Sequence, residues 1–211
     1  MSNYSATTRP DDPPVDAAAV IHPRWLRLTH WLNVLAVAVM TTSGWRIYDA
    51  APFFDLIFPR GMTLGGWLGG ALQWHFAGMW LLAVNGLLYL TLNITSGRLF
   101  ERFFPVSPQG VLGDVWQALR GRLAHDDPGH YNQVQRAAYL FAMLDLIVLV
   151  ASGLVLWKSV QFGMLRDLLG GYEAARRVHF VAMAFLVGFV AVHLTMVILV
   201  PRTLLTMIRG R

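Results

Sequence analysis

The sequence predicts an all-α integral membrane protein built as a four-helix transmembrane bundle. Three observations carry this prediction: 55% of the 211 residues are apolar, only 14% are charged, and the mean hydropathy is +0.48. Soluble domains carry about 25% charged residues on average. Several apolar runs of about 20 residues follow one another, and each is long enough at about 1.5 Å per residue to cross a hydrocarbon core of roughly 30 Å.

Four membrane spans are predicted, near residues 26–47, 74–95, 137–157 and 178–200. The first is flanked by Trp25 and Trp45, and tryptophan is enriched where a helix leaves the membrane. The last stops at Pro201, which lacks the backbone donor that would continue a helix.

The segments outside the spans are short. Residues 1–20 are polar and rich in Pro and Asp, without the apolar core of a signal peptide, so they predict a disordered cytoplasmic tail. Residues 114–123, DVWQALRGRL, predict a short amphipathic helix on the membrane surface. The transmembrane domain therefore takes residues 21–211.

Basic residues are distributed unequally between the two sides of the predicted spans. Eleven Lys and Arg residues fall on one side and six on the other. The positive-inside rule then places both termini and the 97–136 loop in the cytoplasm, with the 48–73 and 158–177 loops outside. Because these charges lie between spans rather than in one patch, they indicate orientation and exclude nucleic acid as a partner.

The chain has no cysteine, which excludes disulfides, thiolate-held iron–sulfur clusters, covalently attached haem and thiolate zinc sites. A metal centre would therefore depend on histidine. Four of the seven histidines lie in or at the edge of apolar spans: His30, His75, His179 and His193. The other three lie in polar segments: His22, His125 and His130. Imidazole is costly in lipid and usually marks a function.

The spacing of His179 and His193 decides what they can bind. Fourteen residues amount to four helical turns less about 40°, so both lie on one face, about 21 Å apart along the axis. They are too distant to share one ion, but each can ligate one of two stacked cofactors. The alternative is that each buried histidine only bonds a neighbouring helix, as happens in membrane bundles.

Helix direction predicts the partner of each histidine. His75 begins a descending second helix and His179 a descending fourth, so both are at the outer level. His30 begins an ascending first helix and therefore shares the inner level with His193. Two imidazoles fill both axial positions of a haem iron, which suits electron transfer because no open coordination site remains.

Two glycines agree with this geometry. Gly44 follows His30 by fourteen residues, and Gly86 follows His75 by eleven. Each offers bare backbone at the level opposite its helix's ligand, where a flat macrocycle needs room. Alternatively, these glycines only pack helices closely.

At these residues the chain resembles the di-haem cytochrome b subunits of bacterial nickel–iron hydrogenases, formate dehydrogenases and thiosulfate reductases, the family of five-sixty-one type cytochromes. The resemblance covers residues 20–209 and is strongest at RLTHWLN, QWHFAGMW, VHF and AVHL. HYNQVQRAAY and SGWRIYDA are similar to the branch that partners periplasmic molybdopterin oxidoreductases.

The resemblance implies two non-covalent haems b, with axial pairs His75/His179 and His30/His193, in a bundle that encloses both haems. It implies a location in the bacterial inner membrane and electron transfer between a periplasmic molybdopterin-type oxidoreductase and the membrane quinone pool of a respiratory chain. The chain would then be the electron-transfer subunit of a complex rather than a complete enzyme. Two alternatives stay open: a stand-alone quinone-reactive oxidoreductase, and a histidine-lined metal or proton transporter, which would need interrupted helices.

Each of the remaining polar candidates has two possible roles. Four arginines are candidates to pair with haem propionates or are interface anchors: Arg46, Arg98, Arg102 and Arg136. Four residues at the entry to the third span are candidates to line a quinone site or contact lipid headgroups: Tyr131, Asn132, Arg136 and Tyr139. Asp145, in the middle of the third span, either relays protons or forms a hydrogen bond within the bundle.

Overall fold

A computed structural model describes residues 22–97, 99, 104–120 and 132–210, and the part of the chain that it describes contains helices and no strand. The predicted tail, residues 1–20, lies outside the described residues. Seven α-helices are described: α1 Arg24–Asp49, α2 Leu68–Thr95, α3 Pro108–Leu119, α4 Gln133–Trp157, α5 Gly163–Leu168, α6 Tyr172–Leu199 and α7 Arg202–Arg209. A single 3₁₀ turn, Arg60–Met62, lies in the connection between α1 and α2.

The four long helices correspond to the four predicted spans, and each begins before its predicted first residue. At the other end, α1 continues two residues further than predicted, α2 and α4 end as predicted, and α6 ends one residue earlier. They contain 26, 28, 25 and 28 residues, so at about 1.5 Å per residue each is roughly 40 Å long, more than the hydrocarbon core alone. α2 and α6 each begin about two turns before the apolar run that predicted them. Hydropathy detects only the segment inside the lipid, whereas the hydrogen-bonded helix continues into the headgroup region.

Among the described residues, three helices are long and apolar enough to cross a membrane: α2, α4 and α6. Their outer faces expose large apolar side chains, such as Leu87 on α2, Ile147 on α4 and Ile198 on α6. A soluble protein would bury such a surface, but lipid solvates it. The first helix, α1, is of similar length but more polar, and it buries Thr29 and Ser43.

The long helices pack as two pairs, α1 with α2 and α4 with α6. Small residues allow the close approach within the first pair. A Cβ added at Gly78 of α2 would lie 2.7 Å from Cγ of Met40 and 3.2 Å from Cγ1 of Val39, both on α1. In lipid, such backbone proximity replaces the hydrophobic effect as the source of helix association.

Aromatic contacts join the two helix pairs at the end of the bundle where α1 and α4 terminate. Tyr48 of α1 stacks on Phe180 of α6, with ring centroids 4.5 Å apart. Trp157 at the end of α4 contacts Phe76 and Trp80 of α2, with centroids 5.7 and 6.4 Å apart. These contacts close the bundle around the space between the pairs.

A helix forms where the amphipathic segment is predicted, but it begins six residues earlier and residues 121–123 lie outside the described part. The signal missed in the sequence is Ser107 before Pro108: the serine hydroxyl accepts a hydrogen bond from the Gly110 amide at 2.9 Å, as a helix N-cap does. Asp114 then fixes α3 to α4 by accepting from the Gln133 amide at 2.7 Å.

Candidate functional site

The four span histidines lie as two pairs, and each pair joins α6 to a helix of the α1–α2 pair. The ring centroids of His75 and His179 are 6.4 Å apart, with an angle of 68° between the ring planes. Those of His30 and His193 are 6.2 Å apart at 61°. These are the partners expected from depth, and whether each pair holds an iron stays a prediction.

His75 is oriented by the backbone and one hydroxyl of α1. Its Nδ1 lies 3.1 Å from both Ser43 Oγ and the Met40 carbonyl. The Ser43 hydroxyl donates its own proton to the Val39 carbonyl at 2.6 Å, and a carbonyl can only accept. Nδ1 must therefore be the donor, which leaves Nε2 of His75 with a free lone pair for a metal.

His179 is oriented in the same way by α4. Its Nδ1 lies 3.0 Å from Ser152 Oγ and also bonds the Leu149 carbonyl. The Ser152 hydroxyl donates to the Val148 carbonyl at 2.6 Å. His179 therefore also presents Nε2 as a free ligand atom.

A glycine follows each of these serines and makes room for the histidine. A Cβ added at Gly44 would lie 3.4 Å from Cε1 of His75, and one at Gly153 would lie 3.2 Å from Cε1 of His179. Gly44 thus lies at the level of His75, as predicted from the spacing, but the group that it adjoins is an imidazole. Gly86 meets no atom within 4 Å of an added Cβ. Sequence reasoning missed Gly153 and both serines.

The inner pair has aromatic and amide neighbours. The Phe189 ring stacks on His193, with centroids 6.1 Å apart. The Asn85 amide of α2 donates to the carbonyl of Thr29, the residue before His30, at 2.8 Å. It also donates to Oδ1 of Asn33, three residues after His30, at 2.7 Å. This cross-link between α1 and α2 was also missed, although an asparagine inside an apolar span is a detectable signal.

The ring separations fit a six-coordinate iron between each pair. A metal–imidazole bond of about 2 Å and a nitrogen-to-centroid distance of about 1.2 Å put the centroids of two axial rings roughly 6 Å apart. No group of three or more metal-ligating side chains occurs among the described residues. Structural zinc takes four protein ligands, whereas a porphyrin itself supplies four nitrogens and needs only two from the protein. The donor set therefore fits haem.

The other predicted site residues are less directly connected with the histidine pairs. Asn132 caps α4 by accepting from the Gln135 amide at 2.7 Å, and Arg136 donates to the Pro105 carbonyl at 3.2 Å. Tyr139 is partly exposed on α4, and Arg46 lies in the last turn of α1. Three more lie outside the described residues: Arg98, Arg102 and Tyr131.

Asp145 is buried in the middle of α4, with 7% of its surface exposed. Its Oδ2 is buried and has no hydrogen-bond partner among the described residues. Seven residues separate it from Ser152, so both face the same side of α4, about 10 Å apart along the axis. Both predicted roles of Asp145, proton relay and hydrogen bonding within the bundle, stay predictions.

Comparisons with known proteins agree on the kind of chain this is. A family model described as prokaryotic cytochrome b561 matches residues 21–210. A protein named as the protein-methionine-sulfoxide reductase subunit YedZ1 of Azospira oryzae is 67% identical over 190 residues, which is 90% of this chain and 96% of that protein. Nickel–iron hydrogenase B-type cytochrome subunits of Azotobacter vinelandii and Cupriavidus necator are 25% and 24% identical, over 83% of this chain and 78% and 77% of theirs. No solved structure matches.

Proposed function

Because the chain belongs to the prokaryotic cytochrome b561 family, we propose that it moves electrons across the membrane through two b-type haems, each held by one histidine pair. Membership makes the chain a multi-pass membrane protein that carries b-type haem for electron transfer. The proposal adds the number of haems, their ligands and their order in the membrane.

The observation that supports two haems most directly is the separation of the ring centroids, 6.4 Å at the outer level and 6.2 Å at the inner level. His75 and His179 would hold the outer haem, and His30 and His193 the inner one. Haem iron supplies a one-electron couple when bound, and two imidazoles leave no position for a substrate. The histidine side chains would bind and orient the two haems.

The proposed orientation places α1, α2, α4 and α6 across the inner membrane, with both termini in the cytoplasm. Its support is the excess of basic residues on the side of the termini, eleven against six. α1 contributes the fourth span because it packs along α2 and is long enough to cross. The outer pair then lies near the periplasm and the inner pair near the cytoplasm.

The proposed partner is a periplasmic molybdopterin-type reductase that acts on methionine sulfoxide in proteins. The 67% identity to YedZ1 of Azospira oryzae supports this choice over a hydrogenase, whose cytochromes are only about a quarter identical. The chain would be the membrane subunit that delivers electrons through the outer haem, and it would not itself contain the catalytic centre.

The proposed electron donor is the quinone pool, which would meet the inner haem. An open apolar groove of about 450 Å³ runs between α4 and α6 and is lined in part by Phe141, Gly188 and Phe189. Since Phe189 stacks on His193, this groove gives a lipid-soluble molecule access to the inner level. Asn132, Arg136 and Tyr139 remain proposed quinone contacts.

A transporter is less well supported. Transport through the membrane midplane commonly uses interrupted helices, whereas α2, α4 and α6 are each continuous over their described lengths. A stand-alone quinone-reactive oxidoreductase would share the haems and differ only in lacking the protein partner.

The test of the proposed function is haem stoichiometry. Purified protein should yield two haems b per chain in a pyridine haemochrome assay, both extractable with acidic acetone because no cysteine is present to attach them. A reduced-minus-oxidised spectrum should show cytochrome b bands. One haem per chain would refute the two-site proposal, and no cytochrome bands would favour the transporter.

A further inference from the structure

The two outer-level histidines are held by matching arrangements on two different helices. In both, a serine hydroxyl and the carbonyl three residues before it meet Nδ1 of the histidine, and a glycine follows the serine. The distances from Nδ1 to Oγ are 3.1 Å for His75 with Ser43 and 3.0 Å for His179 with Ser152. The two histidines proposed as axial ligands of the outer haem are thus supported in the same way by two different helices.

The direction of each hydrogen bond is fixed by the serine's second contact. Ser43 donates to the Val39 carbonyl and Ser152 to the Val148 carbonyl, both at 2.6 Å. Each Oγ can therefore only accept from the imidazole N–H. Both serines are fully buried, and hydrogen bonds are electrostatically stronger in such a low-dielectric environment than in water.

We propose that Ser43 and Ser152 are positioning residues that keep both outer imidazoles as Nδ1–H tautomers and lower the redox potential of the outer haem. The inference rests on the proposed function, since it needs His75 and His179 to be ligands of one iron. An imidazole that donates its Nδ1 proton to an oxygen carries more electron density at Nε2. Such a ligand favours Fe(III) over Fe(II), and ligand hydrogen bonding is one of the levers that sets a haem potential.

The test is a redox titration of the Ser43→Ala and Ser152→Ala variants. The absorbance bands of the two haems are monitored separately, so that each haem gives its own midpoint potential. The backbone carbonyl still accepts from Nδ1 in either variant, so the tautomer survives with a weaker interaction. We expect each change to reduce the preference for Fe(III) by about threefold to tenfold, which raises the midpoint potential of the outer component by about 28 to 59 mV. The inner component should keep its potential.

Thr42→Ala is the matched control, because its hydroxyl also bonds a carbonyl of α1, that of Ala38 at 2.7 Å. It should leave both potentials unchanged. The two serine variants test the same claim through different ligands, so the failure of one to fold leaves the other decisive. A haemochrome assay on each variant shows whether both haems are retained.

Three results would overturn the inference: an outer potential equal to that of Thr42→Ala, an equal shift of both components, or loss of the outer haem in both serine variants. The last would mean that the hydroxyls retain the haem rather than tune it. These outcomes are distinguishable from failure of the proposed function. If His75 and His179 were not ligands of one haem, their alanine variants would not eliminate a common component, whatever the serine variants show.

Discussion

Single polar side chains fix the long helices in relation to one another. Ser43 and Ser152 bond histidines on neighbouring helices, and Asn85 bonds the backbone and a side chain of α1. In lipid, apolar contacts alone leave helices free to slide, because the surrounding chains are as apolar as the helices. These polar contacts therefore determine register.

Asn85→Ala should destabilise the protein by about 1 to 2 kcal/mol, because two hydrogen bonds between helices are lost. Asn93→Ala is the control. Asn93 is on the same helix and is equally buried, but among the described residues its amide donates only to the Tyr89 carbonyl of α2 itself, at 2.8 Å. Unfolding followed by circular dichroism in detergent measures both. Equal effects of the two substitutions would show that the link between α1 and α2 contributes nothing of its own.

At the scale of single residues, the sequence predicted the histidines of the site but not the serines that form hydrogen bonds with them. A histidine in an apolar span is conspicuous because its cost in lipid is high. A serine is not, because it can bond the carbonyl four residues earlier in any helix. The partners of Ser43 and Ser152 lie 32 and 27 residues away, and no local pattern indicates such a distant contact.

Close helix approach is the element-scale feature that positions the outer pair. α1 and α2 touch where Gly78 faces Met40, and the Met40 carbonyl also accepts from His75. Met40 therefore takes part both in the packing of α1 against α2 and in the orientation of His75. A substitution that disturbs this packing should also disturb the orientation of His75.

Gly78→Ala should separate α1 from α2 and disturb the outer haem, because the new Cβ would lie 2.7 Å from Met40 Cγ. We expect a loss of about 1 to 3 kcal/mol, typical of overpacking, with weaker retention of the outer haem only. Gly113→Ala, inside α3, is the control. Nothing lies within 4 Å of its added Cβ, so it should gain about 0.5 to 1 kcal/mol from helix propensity.

Thermal unfolding and haem content of these two variants test whether the close packing of α1 and α2 affects stability and haem retention. If Gly78→Ala retained both haems and was as stable as Gly113→Ala, the close packing of α1 and α2 would not position His75.

The sequence predicted the existence of the four long helices better than their ends. Apolar runs mark the part of each helix inside the lipid, but α2 begins in a glycine-rich segment, residues 68–73, and α6 in a charged one, residues 172–177. Neither composition predicts a span. The start of α3 depends on Ser107 and Pro108, a capping signal that is independent of the amphipathic pattern used to predict that helix.

At the scale of the whole molecule, α6 is the shared element. It carries one histidine of each pair, fourteen residues apart, while α1 and α2 carry one each. This arrangement follows from helix order and direction, which apolar spacing and basic residues predict together. The sequence could not predict that the partner rings lie at a separation suited to one iron, since that depends on the packing of α1 and α2 against α6.

The most direct test of two haems at two levels is to remove the histidines one at a time and record low-temperature spectra with redox titrations. His75→Ala and His179→Ala should each eliminate the same spectral component, because a haem that loses one axial imidazole becomes five-coordinate and is held more weakly. His30→Ala and His193→Ala should each eliminate the other component. The second haem, roughly 20 Å away along α6, keeps both its ligands.

His125→Ala is the control for this measurement, because His125 belongs to a polar segment of the sequence outside the predicted spans and should leave both components intact. The account predicts two classes of variant, His75 with His179 and His30 with His193. If His30→Ala and His179→Ala instead eliminated the same component, the pairing by depth and the two-haem conduit built on it would be contradicted.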